Sequence, residues 1–216
     1  MKTQTQKEAA GAQAETVRGM MAASKTETAQ ARRTGRGKTY DMAYTAVFAV
    51  LIAICSWISV PTVVPFTLQT FAVFLAVSVL GGRRGTLSIV VYVLLGAVGI
   101  PVFAGFKGGI GVLLNTTGGY IIGFIFAGLI MWLMERLFGR KLWAQLLGMI
   151  LGMITYLSVG TAWFMVVYLR QTGPVSLGTV LGWCVIPFLI PDIVKMMLAL
   201  SLGNLLRKRL AGIMGE

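Results

Sequence analysis

Long runs almost free of charge decide what this chain can fold into. Between residues 40 and 206, six apolar segments follow one another, covering about 40–60, 66–80, 86–100, 118–138, 142–169 and 177–206. Crossing the hydrocarbon of a bilayer takes about 20 apolar residues of upright helix. Backbone polar groups find no water there, so a helix, which pairs its own N–H and C=O groups, suits runs of this length. The expected fold class is therefore all-α: one polytopic membrane domain over 39–216 with six transmembrane helices. The second and third segments are short for a full span and are expected to borrow flanking residues. Composition agrees. Of the 216 residues 56 % are hydrophobic and only 12 % charged, against about 25 % charged in ordinary soluble domains.

A net charge of +12 would suggest a nucleic-acid partner in a soluble protein, but the positions of the charges argue against one. Eight of the nineteen Lys and Arg residues lie in the first 38 positions. Most others gather in short turns: Arg83 and Arg84, then Arg136, Arg140 and Lys141, then Arg207, Lys208 and Arg209. With six crossings all of these fall on one side, sixteen against only Lys107 and Arg170 on the other. Short loops rich in Lys and Arg stay in the cytoplasm. Both termini are therefore expected to be cytoplasmic, in a multi-pass protein of the cell membrane whose outer faces meet lipid. Residues 1–38 lack apolar periodicity and read as a disordered basic cytoplasmic tail, without the apolar core of a signal peptide. Gly37-Lys38-Thr39 does not close a phosphate-binding loop, because Arg32 stands where that motif needs its first Gly.

Residues able to carry chemistry are few. Histidine is absent, which removes the commonest general base and metal ligand. Cys55 and Cys184 lie inside apolar segments and read as small buried hydrophobes rather than a disulfide or metal pair. No nucleophile has an evident base, and Glu135 beside Arg136 reads as surface charge. The chain is expected to be no enzyme and to hold no metal or cofactor. Small residues recur four apart, at Ala49 and Ala53, at Gly119 and Gly123, and at Gly148 and Gly152. Such pairs share a helix face and admit a second backbone closely. They serve either packing within the chain or docking of a partner membrane protein, and spacing does not say which.

Two stretches stand out as candidate sites. In Pro187-Phe188-Leu189-Ile190-Pro191-Asp192-Ile193-Val194-Lys195, the acid and the amine are the only charges of the last apolar segment. Three apart on a helix, they share a face. Charges inside a membrane cost several kcal/mol unless paired or solvated, and normally line a polar cavity. Asp192 would lie roughly 22 Å along the helix from Arg207, in the outer half of the membrane. One reading makes Pro191 the first helical residue and Asp192 its dipole partner; the other makes the pair an acceptor and a donor for a polar ligand. The second stretch, Gly99 to Tyr120, is rich in glycine yet apolar and nearly uncharged. It reads equally as a lid or pocket wall and as a tight connection between helices.

The chain from about Tyr40 onward resembles the BioY family of biotin-specific S components of energy-coupling factor importers. The stretches that carry the resemblance are Val64-Pro65-Phe66-Thr67-Leu68-Gln69-Thr70-Phe71, Gly85-Thr86-Leu87-Ser88, Gly99-Ile100-Pro101-Val102-Phe103-Ala104-Gly105-Phe106, Thr117-Gly118-Gly119-Tyr120 and Pro191-Asp192-Ile193-Val194-Lys195. It leaves residues 1–38 uncovered. The resemblance implies a six-helix domain that captures biotin from outside and works with a transmembrane coupling protein and two ATPases. It assigns Asp192 and Lys195 to the bicyclic head group of biotin and makes Asn115 a further candidate. Apolar walls at Phe66 and Phe106, with Gln69 in the first matching stretch, complete the candidate site, and Lys107 is assigned to the carboxylate by charge sign. It places partner docking on Ala49 and Ala53. The competing expectation is a self-sufficient secondary transporter of a small vitamin, driven by protons through Asp192.

Overall fold

The computed structural model describes residues 39–62 and 64–214, with side chains to residue 209. The tail expected over 1–38 lies outside the described residues. Two compact units divide the chain, Met1–Met42 and Ala43–Glu216. Of the first, residues 39–42 are described, and they open helix α1 (Thr39–Trp57). The architecture below is that of the second.

The apolar segments fold as helices, and their ends follow local chemistry. After α1 the chain departs from an all-helical plan. Ser59–Val60 (β1) pairs antiparallel with Phe66–Thr67 (β2), Ser59 opposite Thr67 and Val60 opposite Phe66. The Leu68 N–H extends the ladder to the Ile58 carbonyl at 3.0 Å. Pro61 and Pro65, which have no N–H to give a helix, flank the turn. The first segment thus ends at Trp57 rather than near residue 60, a correction that strands of two residues are too short to announce in sequence.

Helix α2 (Gln69–Leu80) and α3 (Gly82–Ala97) follow, joined by Gly81 alone. Gly81 has φ +84°, a conformation that costs a side-chain-bearing residue dearly. α3 starts four residues before the apolar run and takes in Arg83 and Arg84. Beyond a glycine-rich loop come a short α4 (Ile110–Leu114), then α5 (Gly118–Phe138) and α6 (Leu142–Gln171). The last segment is two helices, α7 (Leu177–Cys184) and α8 (Ile186–Met214), parted at Val185. Pro187 and Pro191 each withhold the N–H that a helix would use there.

Four of these stretches, 39–57, 118–138, 142–171 and 177–209, are long and apolar enough to cross a membrane. Helix α2 has only 12 residues, about 18 Å, but eleven of them are buried. A helix apolar on all sides belongs inside a protein, and α2 packs against α8 and α3. Outward faces carry exposed Phe126, Ile154, Ile190 and Leu198.

The small-residue pairs settle into internal packing. A Cβ on Gly119 would meet Trp163 Cβ at 2.2 Å, and one on Gly123 the Tyr156 backbone at 3.0 Å. Gly148 and Gly152 likewise face Met134 and Ala127. Both glycine pairs therefore let α5 and α6 approach closely. The docking expectation for Ala49 and Ala53 needs correcting: they are 1 % and 4 % exposed within the chain's own core. A face already occupied by neighbouring helices offers no surface to a second protein, and the exposed face of α1 presents Val47, Val50 and Ile54 instead.

Candidate ligand-binding site

Helix α8 turns Asp192 and Lys195 to one side, as their three-residue spacing requires, and Lys195 Nζ lies 2.9 Å from Asp192 Oδ1. The pair is buried, at 2 % and 6 % exposure. Pro191 stands inside α8, not at its start, so Asp192 is no first-turn dipole partner. The acid is instead held by three other elements or side chains. Thr70 Oγ1, at the start of α2, donates to Asp192 Oδ1 at 3.0 Å. The Tyr156 hydroxyl on α6 donates to Asp192 Oδ2. Lys195 also donates to the Thr67 carbonyl of β2 at 2.7 Å, and its ammonium sits 3.9 Å from the centroid of Phe66.

The bonding of this pair differs from expectation in one respect. A polar guest was expected to complete it, yet Thr67, Thr70 and Tyr156 already do most of that. Some capacity remains. An ionised carboxylate offers about four lone-pair sites, and three are occupied here. The Lys195 ammonium, which has three N–H donors, uses two of them on oxygens, the Thr67 carbonyl and Asp192 Oδ1. A donor–acceptor ligand can therefore bond both groups without stripping the acid of its partners.

Beside the pair lies a cavity of about 360 Å³ whose walls include Thr67, Thr70, Tyr120, Tyr156 and Cys184. A larger one, about 650 Å³, adjoins it and takes in Gln69, Phe103, Lys107 and Asn115. The two share Val64, Pro65, Thr67, Tyr120 and Phe124 as common walls. Together they make a compartment with a charged polar end and a longer, mostly apolar arm. A separate cavity of about 340 Å³ at the other end of α2, beside the Arg140–Glu135 ion pair, shares no residue with them.

Most sequence candidates converge here. Asp192 and Lys195 line the smaller cavity; Gln69, Lys107 and Asn115 line the larger. Phe66 packs on Lys195 and lies 5.8 Å from the Phe188 ring. Phe106 lies apart. It is 66 % exposed, stacks on Trp57 with centroids 4.9 Å apart, and lines neither cavity. The ring that does face the ligand space from this loop is Phe103, 1 % exposed and edge-on to Tyr92 at 5.6 Å.

The glycine-rich loop is thus both wall and packed connection. Phe103 and Lys107 pair their backbones, and Trp57 Nε1 ties the Pro101 carbonyl to α1 at 3.0 Å. Sequence reasoning missed Thr67, Thr70, Tyr120 and Tyr156. Tyr156 carried a usable signal, because a tyrosine in the middle of an apolar helix needs a partner for its hydroxyl.

Comparison with known proteins fits this geometry. The BioY family model matches residues 23–212. The chain belongs to the BioY family. That match begins inside the segment 1–38 and so corrects the expectation that the resemblance stops at residue 39. The chain is 42 % identical over 164 residues to the biotin transporter BioY of Thermotoga maritima, covering 75 % of this chain and 92 % of that one. It is 40 % identical over 171 residues to the probable biotin transporter BioY of Pyrococcus horikoshii, covering 79 % and 98 %. Among solved structures, the S-component for biotin from an ECF-type ABC transporter superposes with a TM-score of 0.70 at 25 % identity, covering 79 % of this chain and 92 % of that one. Membership of the BioY family makes this a multi-pass membrane protein of a transport family.

Proposed function

We propose that this chain captures biotin from outside the cell as the S component of an ECF-type importer. The names of its relatives and of its structural neighbour support that reading. The observation that carries it at residue level is the buried Asp192–Lys195 pair opening on a cavity. Biotin's ureido ring has one carbonyl acceptor and two N–H donors. Lys195 donates to the carbonyl and Asp192 uses its remaining lone pair for a ring N–H. Charge-assisted bonds of this kind gain strength in low-dielectric surroundings. The apolar thiophane ring and valeryl chain lie against Tyr120 and Phe124, which line both cavities.

In this reading α1, α2, α3, α5, α6 and the α7–α8 pair make six crossings of the inner cell membrane, with both termini cytoplasmic. Sixteen basic residues on one side support that orientation. α2 lies among other helices and so has no need of full hydrocarbon length. The chain binds and carries; a transmembrane coupling protein and two ATPases drive release inward.

Calorimetric titration of the purified full chain with biotin, thiamine and riboflavin tests this. Biotin alone should bind tightly. Asp192→Asn and Lys195→Met should each weaken it by about 100-fold, as loss of a buried charge-assisted bond does. Biotin binding equally well to both variants, or preferential binding of another vitamin, would refute the assignment.

A further inference from the structure

A second polar cavity lies away from the ligand compartment, at the end of the helices where the basic turns gather. It is the cavity of about 340 Å³ enclosed by the ends of α2, α5 and α8 and the start of α6. Arg140 and Arg207 line it together with one acid, Glu135. That acid, read from sequence as surface charge, is engaged: its carboxylate accepts the Gly82 N–H at the start of α3 and the Arg140 Nε–H. Two guanidiniums against one carboxylate give the cavity a net positive charge. Arg136, Lys141 and Lys208, each next in sequence to one of these three, add to it.

Two further lining groups lack a partner. Ser78 is 3 % exposed, and its hydroxyl is buried without a hydrogen bond. The amide oxygen of Gln145 is buried without one too. Buried polar atoms are normally paired. A positive cavity with an unused hydroxyl and an unused carbonyl suits a ligand with negative charge, acceptor oxygens and an O–H of its own. A phosphodiester with a hydroxyl-bearing headgroup has all three, and basic pockets between transmembrane helices on the cytoplasmic side hold anionic lipid headgroups. We propose that this cavity seats the phosphate of an anionic, hydroxyl-bearing phospholipid. Arg140 and Arg207 meet the phosphate oxygens, the Ser78 hydroxyl donates to one of them, and a headgroup hydroxyl donates to Gln145. Dihydrogen phosphate in solution shares this chemistry, and the test separates the two. The site stands apart from the biotin reading; only the inner leaflet as its source follows from the orientation proposed above.

Native mass spectrometry of the purified full chain in uncharged detergent, titrated with phosphatidylglycerol or phosphatidylcholine, tests it. Wild type should bind phosphatidylglycerol about tenfold more tightly, the worth of a charge-assisted contact. Arg207→Gln should remove most of that preference, and Ser78→Ala should weaken phosphatidylglycerol about fivefold, as loss of a neutral hydrogen bond does. Arg209→Gln, which takes the same charge from the same helix outside the cavity, should keep the preference. Biotin affinity, measured alongside, should stay unchanged in all three. Equal binding of the two lipids by wild type would overturn the proposal and assign the cavity to water, leaving the biotin reading intact. Equal losses in Arg207→Gln and Arg209→Gln would overturn it as well, since they report general charge and not a site. Inorganic phosphate that binds more tightly than the lipid, with the same dependence on Arg207, would overturn the lipid as occupant in favour of a free anion. Should Arg207→Gln lose biotin too, it has not folded, and the wild-type comparison with Ser78→Ala decides.

Discussion

At the scale of single residues, the candidate site holds a charge pair buried with enough partners to be tolerated and one lone-pair position of Asp192 to spare. Removing one partner of a buried pair outright costs about 3–5 kcal/mol. Milder changes grade the effect. Tyr156→Phe takes one neutral donor from Asp192 and should weaken biotin binding about five- to tenfold, the worth of a buried hydrogen bond. Thr70→Val removes another donor and should act similarly in the same titration. No change in either would mean that Asp192 is positioned without them. Asp192 and Lys195 were legible in sequence because two charges in an apolar run need a reason. Their supports were not. Thr67 acts through its backbone carbonyl, which any residue has. Thr70 lies 122 positions from the acid it serves, so only the packing of α2 on α8 joins them. Phe106 was the expected wall, and nothing in the sequence favours Phe103, a ring in the same loop. In the structure Phe106, at a φ of +58°, is exposed, whereas Phe103 is buried.

At the scale of elements, hydrophobic run length located the helices well, since a backbone in apolar surroundings has few other choices. Weak local signals were lost. The hairpin at 59–67 is held by two residue pairs, and the break at Val185 falls within an unbroken apolar run. Glycine spacing announced close approach without saying to what; the structure answers with the α5–α6 contact. Gly119→Leu should therefore lower the apparent melting temperature in detergent by several degrees, since overpacking costs about 1–3 kcal/mol. Gly111→Leu, where a new Cβ meets nothing within 4 Å, should leave it near wild type. Equal effects of the two would contradict the packing account. Burial of Ala49 and Ala53 carries the same lesson in reverse, because small-residue spacing says that something approaches closely and not whether it belongs to the same chain.

At the scale of the whole molecule, the protein is a multi-pass member of a transport family whose Asp192–Lys195 pair lies beside two adjoining cavities. In membrane vesicles, biotin accumulation should need both the ATPase-bearing partners and ATP, and it should survive a protonophore. Uptake by this chain alone that collapses with an uncoupler would favour a proton-driven transporter instead. The account finally depends on where the ureido ring sits. Isotope-edited infrared spectroscopy of biotin carrying a labelled ureido carbonyl measures that contact in the bound state. Binding to wild type should shift the carbonyl band to lower frequency, and Lys195→Met, saturated at higher concentration, should lose the shift. A band that moves equally in both proteins would place the ring elsewhere and contradict the account.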